Sequence, residues 1–184
     1  MGWPQRIEGY AIVSREGMIA TADRVMPPGL KIDADQRFFH GSLAHAAAIA
    51  NGRHSNEGGP LAAARPRLVL TRSIPTIAAH PTNPNALLWN PAGSSFEEAW
   101  DRLKVDGVLA VVGGPDVFGQ FLDIGYDLFF LSHAPANIPH GRPVFPGVPE
   151  KTPEALLAEH GMVPQAVQVL DEASHVTVTQ WGRG

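Results

Sequence analysis

Two glycines stand together at Gly113-Gly114, where the apolar run Val108–Val112 (VLAVV) gives way to a helix-like stretch, Asp116–Leu122. One glycine suffices for an ordinary turn, so a pair at the end of a strand points to something that approaches the backbone closely. A helix beginning there aims its positive end at the same spot, which suits an anion such as a pyrophosphate. Tight strand–helix packing accounts for the pair equally well. Asp33 and Asp35 head a second helical stretch, Asp33–Ala50 (DADQRFFHGSLAHAAAIA), and either carboxylate can serve as an N-cap. Other chemistries are disfavoured. There are no cysteines, so thiolate metal sites, disulfides and a cysteine nucleophile are excluded. The 8 histidines show no HExxH or other zinc-ligand spacing, and no metal site is expected. Neither a GxSxG elbow nor a phosphate loop ending in Gly-Lys-Ser/Thr occurs.

The elements that must position these residues alternate along the chain. Gly9–Ser14 (GYAIVS) reads as a buried strand, followed by a short MIA segment and a loop from Thr21 to Gly29. The first part of Asp33–Ala50 reads as a helix that Gly41-Ser42 can end early, with His45–Ala50 turning into a strand. Asn51–Leu61 reads as loop and helix start, Arg67–Thr71 and Asn85–Trp89 as strands. Ser95–Lys104 opens with a capping box, Ser95 with Glu98. Leu128–Ser132 reads as a strand, and Thr152-Pro153 opens a helix that closes at Gly161. Val167–Leu170 and His175–Gln180 form a terminal hairpin. The pattern predicts one α/β domain over residues 1–184, with a mostly parallel sheet and an antiparallel C-terminal edge.

At 184 residues the chain can bury one sizeable core, and 44% hydrophobic with 17% charged residues is an ordinary globular balance. A net charge of -4 without a basic stretch argues against a nucleic-acid partner. The N-terminal segment lacks a signal-peptide core and no run approaches a membrane span, so a cytoplasmic protein without membrane partners is expected. The proline-rich stretches Ser73–Pro91 and Ala134–Pro149 read as surface connections.

Taken in order, several segments resemble dihydrofolate reductase. AIVSREGMIA with the loop ending in Met26-Pro27 is similar to that family's first strand and mobile active-site loop. DQRFFH (Asp35–His40) is similar to its helix with an acid four positions before a phenylalanine. GRHS, the arginine before RLVLT, VVGGPDVFGQFL, LFFLSH and VFP follow in the family's order, from about Gly9 to Pro146. The resemblance implies the dihydrofolate reductase-like fold, NADPH as cofactor, a small-molecule pterin or pyrimidine substrate, and a monomer or homodimer.

Carried over residue by residue, the pterin-binding acid falls on Asp35, which would bond the pterin amidine edge and support protonation at N5. Asp33 competes if the register is counted from Met26-Pro27 without a gap. Asp35 has Phe39 four positions on, on the same helix face, where the ring would stack on the pterin. Ala11, Ile12 and Val112 fall on positions lining the pterin pocket, and Ser132 on the hydroxyl that supports the acid. Arg65 falls on the clamp for a folate carboxylate. For the cofactor, Gly52, Arg53, His54 and Ser55 match the element under the dinucleotide, with Arg53 and Arg72 directed at a 2′-phosphate. Ile19, Ala20, Thr71, Val112, Gly113, Gly114, Asp116, Val117 and Phe118 complete the implied cofactor lining. The double glycine carries a cis peptide in the family. Two departures stand out. Asp116 replaces a residue that is often basic, which would weaken NADPH preference, and Pro28 replaces a tryptophan.

The resemblance implies reduction of 7,8-dihydrofolate to tetrahydrofolate. The ribosylaminopyrimidine reductase of riboflavin synthesis shares the fold and cofactor, and VSREGMIA resembles its first strand as well. A non-catalytic pterin- or nucleotide-binding protein is the third reading.

Overall fold

The computed structural model describes residues 2–54 and 64–184. Ser55, and with it most of the Asn51–Leu61 segment, lies outside the described residues. A nine-stranded sheet runs in the order β10-β11-β8-β1-β7-β3-β4-β6-β5. Its strands are β1 Arg6–Val13, β3 Ala48–Gly52, β4 Arg67–Leu70, β5 Ile77–Ala79, β6 Ala86–Trp89, β7 Val108–Val111, β8 Leu128–His133, β10 Met162–Asp171 and β11 Val176–Arg183. From β8 to β6 every neighbouring pair is parallel. β11 and β10 close one side antiparallel, as the sequence predicts. A two-stranded ribbon, β2 Met18–Ala20 with β9 Arg142–Pro143, stands apart from the sheet.

Three expectations need correction. The first strand begins at Arg6, three residues before Gly9. Gly9 is interior because a Cβ there would stand 2.3 Å from the Phe129 ring, so the glycine makes room for an aromatic rather than marking a boundary. The other sheet edge is antiparallel too: β5 lies inside the proline-rich stretch read as plain connection, and pairs with β6. The terminal hairpin is longer than expected at both strands. Pro164 is accommodated at the outermost strand, beside a register shift between Pro164 and Ala166.

Helix α1, Asp33–Leu43, runs through Gly41-Ser42, and the Ser42 hydroxyl donates to the Phe38 carbonyl at 2.8 Å. Neither aspartate caps it. Ile32 is the N-cap and gives no side-chain bond, Asp33 is exposed, and Asp35 is buried. Helix α2, Phe96–Leu103, has the expected capping box of Ser95 and Glu98. Helix α3, Pro115–Ile124, starts from Gly114, and α4, Pro153–Glu159, is capped by the Thr152 hydroxyl. The main core packs Trp89, Phe96, Trp100, Phe118, Phe121 and Phe129 on one sheet face. A smaller core of Tyr10, Leu43, Ala46, Ile49, Ala110 and Val112 lies under α1. No helix among the described residues is long and apolar enough to cross a membrane.

Candidate functional site

The central parallel strands end together, and beyond their carboxyl ends opens a cleft of about 1050 Å³. At one end α1 presents Asp35, Phe38 and Phe39, which share a face by their three- and four-residue spacing. Asp35 is 8% exposed and its carboxylate accepts a hydrogen bond from the Ser132 hydroxyl on β8. Burial raises the Asp35 pKa above the ordinary carboxyl value, and the Ser132 bond offsets part of that rise. Ala11, Ile12 and Val112 line the wall beside it. Asp33, by contrast, is exposed and lies outside this cleft.

Two aromatic residues at this end escape the sequence reading. Tyr10 on β1 is paired in register with Phe130 on β8, and their rings stack at 4.9 Å. Phe39 approaches Tyr10 edge-on at 6.1 Å, and Phe38 lies 5.6 Å from Phe130. The Tyr10 hydroxyl donates to buried Glu8, whose other oxygen holds Arg6 at 2.5 Å. Burial, and then Glu8, push the phenol far above its ordinary pKa, so it remains a hydrogen-bond donor. The alternation of strands offered a signal for these residues: Tyr10 and Ile12 share a face of β1, as Phe130 and Ser132 do on β8.

The other end of the cleft is polar and open. Gly52 ends β3, Arg53 and His54 follow it, Thr71 and Arg72 follow β4, and Gly114, Asp116, Val117 and Phe118 belong to the start of α3. Ile19 and Ala20 come from β2. The Gly113-Gly114 peptide is cis. Gly113 has φ 112, where side chains rarely go, and its carbonyl accepts from the Gly52 amide at 2.9 Å. A Cβ on Gly114 would meet nothing within 4 Å, so its backbone faces open cleft. Arg53 donates to the His54 ring at 3.1 Å, and Thr71 bonds Ser73 at 2.8 Å. Arg65 is not brought into the lining. It precedes β4 at the end away from Thr71, and its guanidinium donates to the Ala46 and Ala44 carbonyls behind α1.

Two cations of the lining, Arg24 and Arg142, were not anticipated. They belong to the loop after β2 and to β9, far apart in the chain, and only ribbon pairing brings them together.

No family model and no curated protein matches the chain. Solved structures do. A dihydrofolate reductase from Enterococcus faecalis complexed with NADP(H) and RAB-propyl aligns with TM-score 0.64 and 17% identity, over 97% of this chain and 96% of that one. A diaminohydroxyphosphoribosylaminopyrimidine deaminase/5-amino-6-(5-phosphoribosylamino)uracil reductase from Thermotoga maritima aligns with TM-score 0.66 and 17% identity, over 98% of this chain and 57% of that one. A Shewanella protein assigned to riboflavin biosynthesis gives 0.65 and 13%, over 98% and 99%. Element order, sheet topology and these neighbours agree: the chain has the dihydrofolate reductase-like fold, shared with the riboflavin-pathway reductases.

Proposed function

We propose that the chain is an NADPH-dependent reductase of 7,8-dihydrofolate. The observation that carries this reading is Asp35: a buried carboxyl beside the Ser132 hydroxyl, at the aromatic end of the cleft. An acid with a raised pKa keeps its proton further toward neutral pH, which suits a group that must hold a proton near a pterin nitrogen. The same carboxyl can pair with the amidine edge of the pterin, while the apolar rings of Phe39 and Phe130 line the space for a planar heterocycle. Ser132 fixes the carboxyl's orientation, and burial excludes water that would level its pKa.

The residues at the other end fit a dinucleotide. Gly114 leaves space where a side chain would stand, α3 begins there, and Arg53 and Arg72 line the cleft. When bound, NADPH supplies a hydride from its nicotinamide ring. Ile19, Ala20 and Phe118 would orient and shield the dinucleotide, and Asp116 would oppose a 2′-phosphate.

The test is loss of the near-ultraviolet absorbance of NADPH in the presence of 7,8-dihydrofolate. Absence of turnover with dihydrofolate overturns the reading. One observation favours the riboflavin-pathway pyrimidine as a second substrate class: Arg65 is bonded to carbonyls outside the cleft rather than presented to a folate carboxylate. Turnover of the ribosylaminopyrimidine alone would establish that alternative.

A further inference from the structure

We propose that Arg24, in the turn after β2, and Arg142, on β9, form with Arg53 and His54 a clamp for the diphosphate group of a dinucleotide. The proposal rests on the reading of this cleft as a dinucleotide site. Arg142 pairs with Ala20 in the ribbon. The turn after β2 is closed by the Thr21 amide donating to the Val25 carbonyl at 2.8 Å, and by the Arg24 amide donating to Thr21 at 3.0 Å. That turn holds Arg24 at φ 66, a left-handed conformation that side chains seldom adopt. Both arginines line the same cleft as Arg53 and His54.

The strand order shows what they surround. The ribbon is connected to the end of β1, Arg53 and His54 follow β3, and β7 with its double glycine runs between β1 and β3. Cations from two sides therefore flank the start of α3, over the open backbone of Gly114. Arg72 follows β4, one strand further out, which separates it from this group and leaves it for a more distant phosphate. Among the described residues none of Arg24, Arg53 or Arg142 forms an ion pair with a carboxylate. Asp23 in the same turn does not line the cleft, and Asp116 is the acid that does at this end. The His54 ring has its pKa lowered, first by desolvation and then by the charges of Arg24, Arg53 and Arg142, in keeping with their convergence. Cations gathered without an ion-paired carboxylate repel one another, and a doubly charged anion between them relieves that.

The clamp is distinguishable from 2′-phosphate recognition because NADPH and NADH share the diphosphate. Calorimetric titrations of the parent, Arg24→Gln, Arg142→Gln and the double variant with NADPH, NADH and inorganic pyrophosphate test it. Each single variant should weaken both dinucleotides by the same factor, about tenfold, and the double variant should lose pyrophosphate binding. Weakening confined to NADPH overturns the proposal, as do variants that bind all three like the parent. A parent that binds both dinucleotides through these arginines but does not turn over dihydrofolate keeps the clamp and sinks the reductase reading alone. A parent that binds none of the three overturns both. Should the Gln variants melt below the parent, Arg24→Lys and Arg142→Lys decide: retained affinity supports a charge clamp, and losses equal to those of Gln overturn it.

Discussion

The two ends of the cleft use charge in opposite ways. Asp35 is held by a helix and two central strands, buried among Phe39, Val112 and Ser132, and desolvation changes its chemistry by raising its pKa. Arg53 and Arg72 stand exposed on loops, where water and salt screen each charge and its worth is a graded affinity. Burial turns one carboxyl into a reagent, whereas exposure makes several guanidiniums into a sum of small attractions. Single substitutions should therefore cut deeply at the first end and shallowly at the second.

The largest effect expected is on turnover. Asp35→Asn keeps the shape and can still accept from Ser132, but it cannot exchange a proton, so dihydrofolate turnover at neutral pH should fall by about 10²–10⁴-fold. The defect should shrink as pH falls, because substrate already protonated at N5 needs the carboxyl less. NADPH affinity should be unchanged. Asp33→Asn is the contrast: Asp33 is exposed and does not cap α1, so steady-state rates should match the parent. A reversal of these two results would move the acid to Asp33.

How far the sequence revealed this arrangement depended on whether neighbours were local. Asp35 with Phe39, and Gly113 with Gly114, lie within one turn of chain, and their spacing alone suggested a shared face and a close approach. Tyr10 and Phe130 meet only through the β1–β8 register, and Arg24 and Arg142 only through the ribbon, so nothing in the linear order joined them. The capping box of α2 was legible because Ser95 and Glu98 satisfy each other across three residues. Strand β5 was not, because Ile77–Ala79 is short, flanked by prolines, and made a strand by the edge of β6. Gly9 misled for a tertiary reason, the Phe129 ring packed against it.

At the open end the next effect is steric. Gly114→Val projects its branches into the cleft without meeting protein within 4 Å of the Cβ, so the chain should fold while NADPH binding weakens by about 100-fold. Gly113 is no substitute for this test, since φ 112 and the Phe118 ring at 3.0 Å would disturb the fold itself. Unchanged NADPH titration of Gly114→Val would place the dinucleotide elsewhere. A smaller change is expected from Arg72→Ala. Parent affinity should favour NADPH over NADH modestly, because Asp116 offsets one cation, and the variant should narrow that ratio by about tenfold or less. Equal affinities in the parent would break the contrast between Arg72 and the shared-diphosphate cations.

The smallest expected effect is on stability, and it returns to Asp35. Its folded pKa lies above the unfolded value because burial disfavours the carboxylate. Between those two values the native chain binds more protons than the unfolded one, so stability falls as pH rises through the window. Above the folded value the cost is complete, and below the unfolded value, about 3.9, it is absent. Asp35→Asn removes the charge while leaving an acceptor for Ser132, so the variant should melt higher than the parent at neutral pH. Each kcal/mol relieved is worth about 2–4 °C in a domain of this size. The gain should disappear as the medium is taken below the unfolded carboxyl value. Melting temperatures of parent and variant across that range decide the matter: a difference that does not change with pH would mean that Asp35 is not desolvated at all. The variant that loses most turnover should thus be the more stable protein, since the same burial that raises the pKa for proton transfer is what the folded chain pays for at neutral pH.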